Sequence, residues 1–136
     1  MIETLSIQTQ GPGLVNFTRQ VSSLVNQAGV NEGLCTVFVK HTSASLIIQE
    51  NADPSVQDDL ENFMKRLVPE NDPLYTHTAE GPDDMPAHIR SAITQTSIGI
   101  PIMNGQLVLG TWQGLYLFEH RLENQTRILS HHLIGD

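Results

Sequence analysis

The chain has 136 residues, enough to bury one hydrophobic core and short for two typical domains. It carries 15 acidic and 7 basic side chains, a formal net charge of -8, which argues against nucleic acid or an anionic membrane as the main partner. Leu, Ile, Val and Phe supply 39 residues, well above the level of disordered segments. A single cysteine, Cys35, excludes an intramolecular disulfide and fits a reducing compartment. Met1 to Thr4 lacks a basic, then apolar leader, and no apolar run approaches the roughly 18–20 residues of a membrane span. A soluble cytoplasmic protein is the expectation.

Ile2 to Ile7 reads as a strand, stopped by Gly11-Pro12-Gly13. Leu14, Phe17, Val21, Leu24, Val25 and Ala28 recur at helical spacing, with Gly29 where a C-terminal cap belongs. Gly33 to His41 follows as a strand. Its alternation puts Cys35, Val37, Val39 and His41 on one face. His41 to Ser45 then reads as a turn rich in hydroxyls. A second helix starts at Asp53-Pro54, Asp as N-cap and Pro as first helical residue, and ends at Pro69. Its apolar stripe is Val56, Leu60, Phe63, Met64 and Leu67.

A Gly-, Pro- and Asp-rich loop spans 70–86, and a third helix from about Pro86 is expected to bury Ile89, Ala92 and Ile93. Asn104-Gly105 marks a type I′ hairpin between Ile98–Met103 and Gln106–Leu109. Two further strands, Leu115–Leu122 and Arg127–Ile134, close the chain. The reading is α+β: a single domain over 1–136, with three helices and mainly antiparallel pairing.

The charge is unevenly spread, with 9 acids and 2 bases inside 51–86. Asp53, Asp58, Asp59 and Glu61 at the start of a helix, and Lys65 and Arg66 at its end, match the helix dipole without any further role. His41, His77 and His88 are the histidines with chemical interest. Imidazole serves both as a metal ligand and as an acid–base group near neutral pH. The loop carrying Glu80, Asp83 and Asp84 could converge His77 and His88, although no HExxH spacing is present.

The Thr42-Ser43 turn can present hydroxyls and backbone N–H groups to an anion. It has neither the P-loop pattern nor the Gly-x-Ser-x-Gly of a serine nucleophile. Cys35 reads as a structural thiol. Glu119 and Arg121, two apart on one strand face, could simply pair. Among so few bases, Arg121 is also the candidate whose planar fork matches phosphate.

His41-Thr42-Ser43-Ala44-Ser45-Leu46, with Glu50-Asn51-Ala52-Asp53-Pro54 and Asp58, resembles the first motif block of the YjbQ family. Tyr75-x-His77-x-x-Glu80-Gly81-x-Asp83-Asp84-Met85-Pro86-x-His88-Ile89 resembles the second. Ser97 to Gly105, Gly110-Thr111-Trp112-Gln113-Gly114 and Glu119-His120-Arg121 resemble the C-terminal signature. The likeness runs in order along essentially the whole chain. It departs at Asp84-Met85, where many members carry Gly-Asn, which places the chain in a subgroup.

The resemblance implies a YjbQ-like α+β fold assembling as a homotrimer with sites near subunit boundaries. It also implies a weak, secondary thiamine-phosphate synthase activity. That reaction joins hydroxymethylpyrimidine diphosphate to thiazole phosphate and releases diphosphate. On this reading His41, His77 and His88 bind a divalent cation. Zinc suits a three-histidine set, and magnesium a site dominated by carboxylates. Thr42, Ser43, Asn51 and Arg121 hold the phosphorylated substrate, and Asp53 or Asp58 orients it or acts as base. Two alternatives stand beside this reading: a non-catalytic trimer that binds a metal or phosphometabolite, and a metal-dependent hydrolase.

Overall fold

Alternating apolar residues in the long strands each bury one face, and two antiparallel sheets close over the result. The computed structural model describes residues 1–136. In chain order the elements are β1 (Ile2–Thr9), β2 (Gly13–Asn16), α1 (Thr18–Ala28), β3 (Gly33–Val39), β4 (Ala44–Glu50), α2 (Pro54–Leu67), α3 (Asp84–Ala92), β5 (Ser97–Met103), β6 (Gln106–Leu107), β7 (Gln113–Glu119) and β8 (Gln125–Gly135). One sheet has the order β1-β8-β3-β5-β6 and the other β2-β7-β4. Cys35, Val37, Val39, Ile98, Ile100, Ile102, Leu129 and Leu133 from the larger sheet join Leu46, Leu115 and Leu117 from the smaller one in a single core. Phe17, Val21 and Val25 of α1 complete it. At Gly33 the strands run so close that a Cβ would overlap the carbonyl of Ile134.

Local chemistry set several boundaries as expected. Asp53 Oδ1 accepts from Ser55 N at 3.0 Å and Pro54 opens α2, while Lys65 and Arg66 occupy its last turn. Asn104 and Gly105 adopt φ of 54° and 73°, the pair of positive angles a type I′ turn requires. Gly29 is left-handed at the end of α1. Cys35 is buried, and burial pushes its thiol up to about 11, so it is an inert core group.

Four expectations are corrected. Residues 14–16 pair as β2 with β7 instead of opening the first helix. Asn16 Oδ1 takes the Thr18 N–H at 3.0 Å, and the helix begins there. Residues 44–50 form a strand that no alternation revealed, because its first residues are covered on both faces. The strand after Gly33 ends at Val39, two residues short of His41. Finally, α3 starts at Asp84 and turns its polar side inward. Asp84, Pro86, Ala87, Arg90 and Ser91 are buried, whereas Ala92 and Ile93 are exposed. The α2 stripe is covered in part: Met64 is buried and Val56 and Leu60 partly so, while Phe63 and Leu67 are half exposed.

Candidate metal centre

The inward polar side of α3 has partners from three other parts of the chain. Asp84 and His88 stand four residues apart on the first turns of α3, which puts them on one helix face. The preceding loop folds back on itself: Leu74 N donates to Asp72 Oδ1 at 2.9 Å and the Tyr75 hydroxyl to the Pro69 carbonyl at 3.0 Å. That path carries His77 to Asp84. His77 Nε2 lies 2.6 Å from Asp84 Oδ2 and 3.0 Å from Glu80 Oε2, and His88 Nε2 lies 3.1 Å from the same Asp84 oxygen. The two rings meet edge to face with centroids 5.3 Å apart.

Proton accounting at this cluster points to a cation. His88 Nδ1 sits 3.0 Å from the Thr42 carbonyl, which can only accept, so Nδ1 carries a proton. In the neutral ring Nε2 is then a bare lone pair aimed at a carboxylate oxygen. Two electron-rich atoms at 3.1 Å need something positive between them, a proton or a metal ion. The carbonyl partner on the far nitrogen is also the outer support that metal-bound imidazoles commonly have.

Asp84 is ionised. Burial alone would raise its pKa, but the hydrogen bond from His77 and the neighbouring His88 and Arg121 outweigh it and hold the carboxyl below the usual range. The donor atoms of His77, Asp84 and His88 lie within 4.8 Å of one another, and two imidazoles with one carboxylate suit zinc better than magnesium. His77 borders a cleft of about 290 Å³ that also touches Tyr75, Thr78 and Met85, so the cluster opens to solvent. The largest groove, about 1030 Å³ along β1 and α1, has Arg19 as its lone charged side chain and no acid–base pair.

Arg121 completes the cluster from the turn after β7. Its Nε donates to Asp83 Oδ2 at 2.8 Å, Nη1 to Asp84 Oδ1 at 2.7 Å and Nη2 to the Glu80 carbonyl at 3.1 Å. The hydrogen bond to Asp83 pushes its pKa above the usual value. Arg121 therefore braces the acidic end of α3, and each of its three nitrogens already has a protein acceptor.

His41 does not join His77 and His88. Its Nε2 accepts the Ile128 N–H at 2.8 Å, and burial, followed by the Arg127 charge, holds it below the usual imidazole range. The third group of the cluster is Asp84. Thr42 contributes through its carbonyl, and Ser43 accepts from Arg127 Nη2 with both its carbonyl and its hydroxyl, at 3.2 and 3.0 Å. Asn51 Nδ2 reaches the carbonyls of Thr111 and Gln113 at 3.4 Å each, bracing the end of β4 against the start of β7. Asp53 is spent as the α2 N-cap, and Asp58 is exposed on that helix.

Sequence reading also missed Arg127 as the partner of Glu119; the two form a fully buried bidentate pair with both N···O distances at 2.6 Å. Glu119 pairs with Arg127 and not with Arg121. Through Ser43 this pair fixes the turn whose Thr42 carbonyl orients His88. The one local signal for Asp84 was its four-residue spacing from His88, hidden by starting the helix two residues late.

Comparison with known proteins agrees with this fold. The family described as UPF0047 protein YjbQ-like matches residues 3–136. A UPF0047 protein of Synechocystis sp. is 58% identical over 134 residues, covering 98% of this chain and 91% of its own. The YjbQ protein of Escherichia coli O157:H7 is 42% identical over 135 residues, covering 98% and 97%. Among solved structures, a YjbQ/UPF0047 family protein from Clostridium acetobutylicum superposes with a TM-score of 0.90 at 34% identity, covering 97% of this chain and 99% of its own. The chain belongs to the YjbQ-like UPF0047 family.

Proposed function

We propose that this protein is a metal-dependent transferase acting on phosphorylated small molecules, of the thiamine-phosphate synthase type. The observation that carries the metal part is the single carboxylate oxygen of Asp84 facing two imidazole Nε2 atoms, one of them with its proton already committed to Thr42. His77, Asp84 and His88 would hold zinc. A divalent cation there supplies positive charge for the oxygens of a departing diphosphate. Glu80, 3.0 Å from His77 Nε2, is placed to take a proton or add a further ligand. Arg121 keeps Asp84 ionised and oriented.

The test is metal analysis of protein purified without added metal, paired with coupling of the two thiamine precursors. About one zinc per chain is expected, with loss of metal and product in His77→Ala and Asp84→Ala. Unchanged metal content in both variants overturns the site. Metal without product turns the reading to a binding module.

The trimer belongs to this proposal. On the outer face of the larger sheet, Leu34 pairs directly with Ile134 and Phe38 lies four residues along, all substantially exposed. Such a patch suits contact between copies. Light scattering should give three times the 15.0 kDa chain; a 15.0 kDa species at micromolar protein would refute it.

A further inference from the structure

Only seven side chains are basic, and two of them, Lys65 and Arg90, line one cavity that shares no residue with the Asp84 cluster. It has a volume of about 280 Å³ and lies between the end of α2, the buried side of α3 and the turn after β7. Its lining includes Pro12, Lys65, Glu70, Arg90 and His120. Pro12, Lys65, Arg90 and His120 also line a deeper recess of about 20 Å³, the size of one water.

Arg90 is 8% exposed, yet its side chain makes one hydrogen bond, from Nη2 to the Val68 carbonyl at 2.7 Å. Its Nε is buried with no acceptor. Buried guanidinium donors are ordinarily satisfied, and Arg90 lines the cavity with this one unmet.

His120 presents the complementary atom. Its Nε2 is 2.9 Å from Ser45 Oγ, Ser45 Oγ is 2.6 Å from Thr94 Oγ1, and Thr94 Oγ1 is 2.7 Å from the Arg90 carbonyl. The carbonyl can only accept, so it takes the one Thr94 proton. Ser45 then donates to Thr94, and His120 Nε2 donates to Ser45. Nδ1 of His120 is left as a bare lone pair with no protein partner. The cavity thus offers guanidinium N–H groups, an ammonium at the rim and one imidazole acceptor.

Three carboxylates border the cavity and its recess. Glu119 is consumed by Arg127, Glu61 lines the inner recess beside Lys65, where burial raises its pKa, and Glu70 stands at the rim. A cation would meet Lys65 and Arg90; an anion that carries one proton satisfies every open group.

We propose that this cavity is a binding site for a protonated phosphoryl group, as inorganic phosphate or the phosphate end of a small monoester. Phosphoryl oxygens accept from the Arg90 guanidinium, Lys65 adds the second positive charge, and the P–OH donates to His120 Nδ1. The site deepens the function proposed above, resting on it only for the substrate's identity, and supplies the phosphate contact that Arg121, already engaged, does not. Sulfate, which has no proton at neutral pH, leaves His120 unmatched.

Calorimetric titration of the full chain, freed of metal by chelation, with inorganic phosphate, sulfate and glycerol phosphate tests this. Phosphate is expected to bind with a Kd at least about fivefold below that of sulfate, weakened about tenfold in Arg90→Gln and about threefold in Lys65→Ala. Lys65 is exposed, so its variant reads binding without disturbing the core. Tighter binding of glycerol phosphate identifies an ester ligand, and equal or weaker binding the free anion. Arg19→Gln, which removes an exposed base outside the cavity, should leave the titration unchanged. Affinities equal in wild type and both basic variants, an equal loss in Arg19→Gln, or sulfate binding as tight as phosphate would each overturn the site. Failure of the metal analysis alone would leave it standing.

Discussion

The two ends of α3 differ in how completely their charges are spent. At the first turn Asp83, Asp84 and His88 meet His77, Arg121, the Thr42 carbonyl and the Leu122 N–H, and every nitrogen of Arg121 has an acceptor. At the last turn Arg90 has one acceptor and a buried Nε without any. A saturated network fixes geometry, and its one electron-rich contact, Asp84 with His88, asks for a cation. An unsaturated one leaves donors waiting for an anion. One helix of nine residues therefore presents opposite demands at its two ends.

The largest effect should come from breaking the saturated end. Arg121→Met removes the counter-charge from two nearly buried carboxylates, whose side chains are 10% and 4% exposed. Breaking such a pair from one side costs about 3 kcal/mol. Urea unfolding should show that loss, and added zinc should restore more stability to the variant than to the wild type. A loss below about 1 kcal/mol would mean that Arg121 is not the brace.

How much of this was legible in the sequence depended on range. Asp53-Pro54 and Asn104-Gly105 act within a few residues, so the α2 start and the hairpin were readable. The strand 44–50 was not, because burial on both faces erases alternation. The inward polar face of α3 was hidden for a related reason. Asp84 is buried because Arg121, 37 residues away, pairs with it, and that partner is invisible to periodicity. Ile93 then reads as core although it is 53% exposed. His77 and His88 were singled out by residue type. His41 was grouped with them on the same ground, and the Ile128 N–H explains why the fold uses it differently.

A smaller effect separates the ends by pH. Burial, with Arg90 and Arg127 nearby, lowers His120 to about 3. Its folded value lies below the unfolded 6.5, so the unfolded chain binds the proton more readily. Stability is therefore full above about pH 6.5 and falls as pH drops from there toward about 3. At pH 5 the loss from this one group is about 2 kcal/mol. His41 and His131, both lowered chiefly by burial, act in the same direction. Asp83 and Asp84, held below the usual carboxylate value, keep their contribution until pH falls through about 4. Urea unfolding at pH 7 and pH 5 reads the histidines against the opposite contribution of Glu61, whose pKa burial raises, and His120→Gln should recover about half or more of the difference. An unchanged difference in that variant would show that His120 is not held neutral.

The smallest effect sharpens the contrast between the two arginines. Arg90→Met keeps the apolar stem, loses the bond to the Val68 carbonyl and removes a buried donor that lacks an acceptor. The first change costs about 1 kcal/mol and the second returns part of it, so the net loss should stay below about 1 kcal/mol without phosphate. Saturating phosphate should then stabilise the wild type and leave Arg90→Met nearly unmoved, because a ligand stabilises only the form that binds it. A loss from Arg90→Met as large as that from Arg121→Met would mean that the last turn of α3 is as structural as the first, and that its open donor is spent on packing.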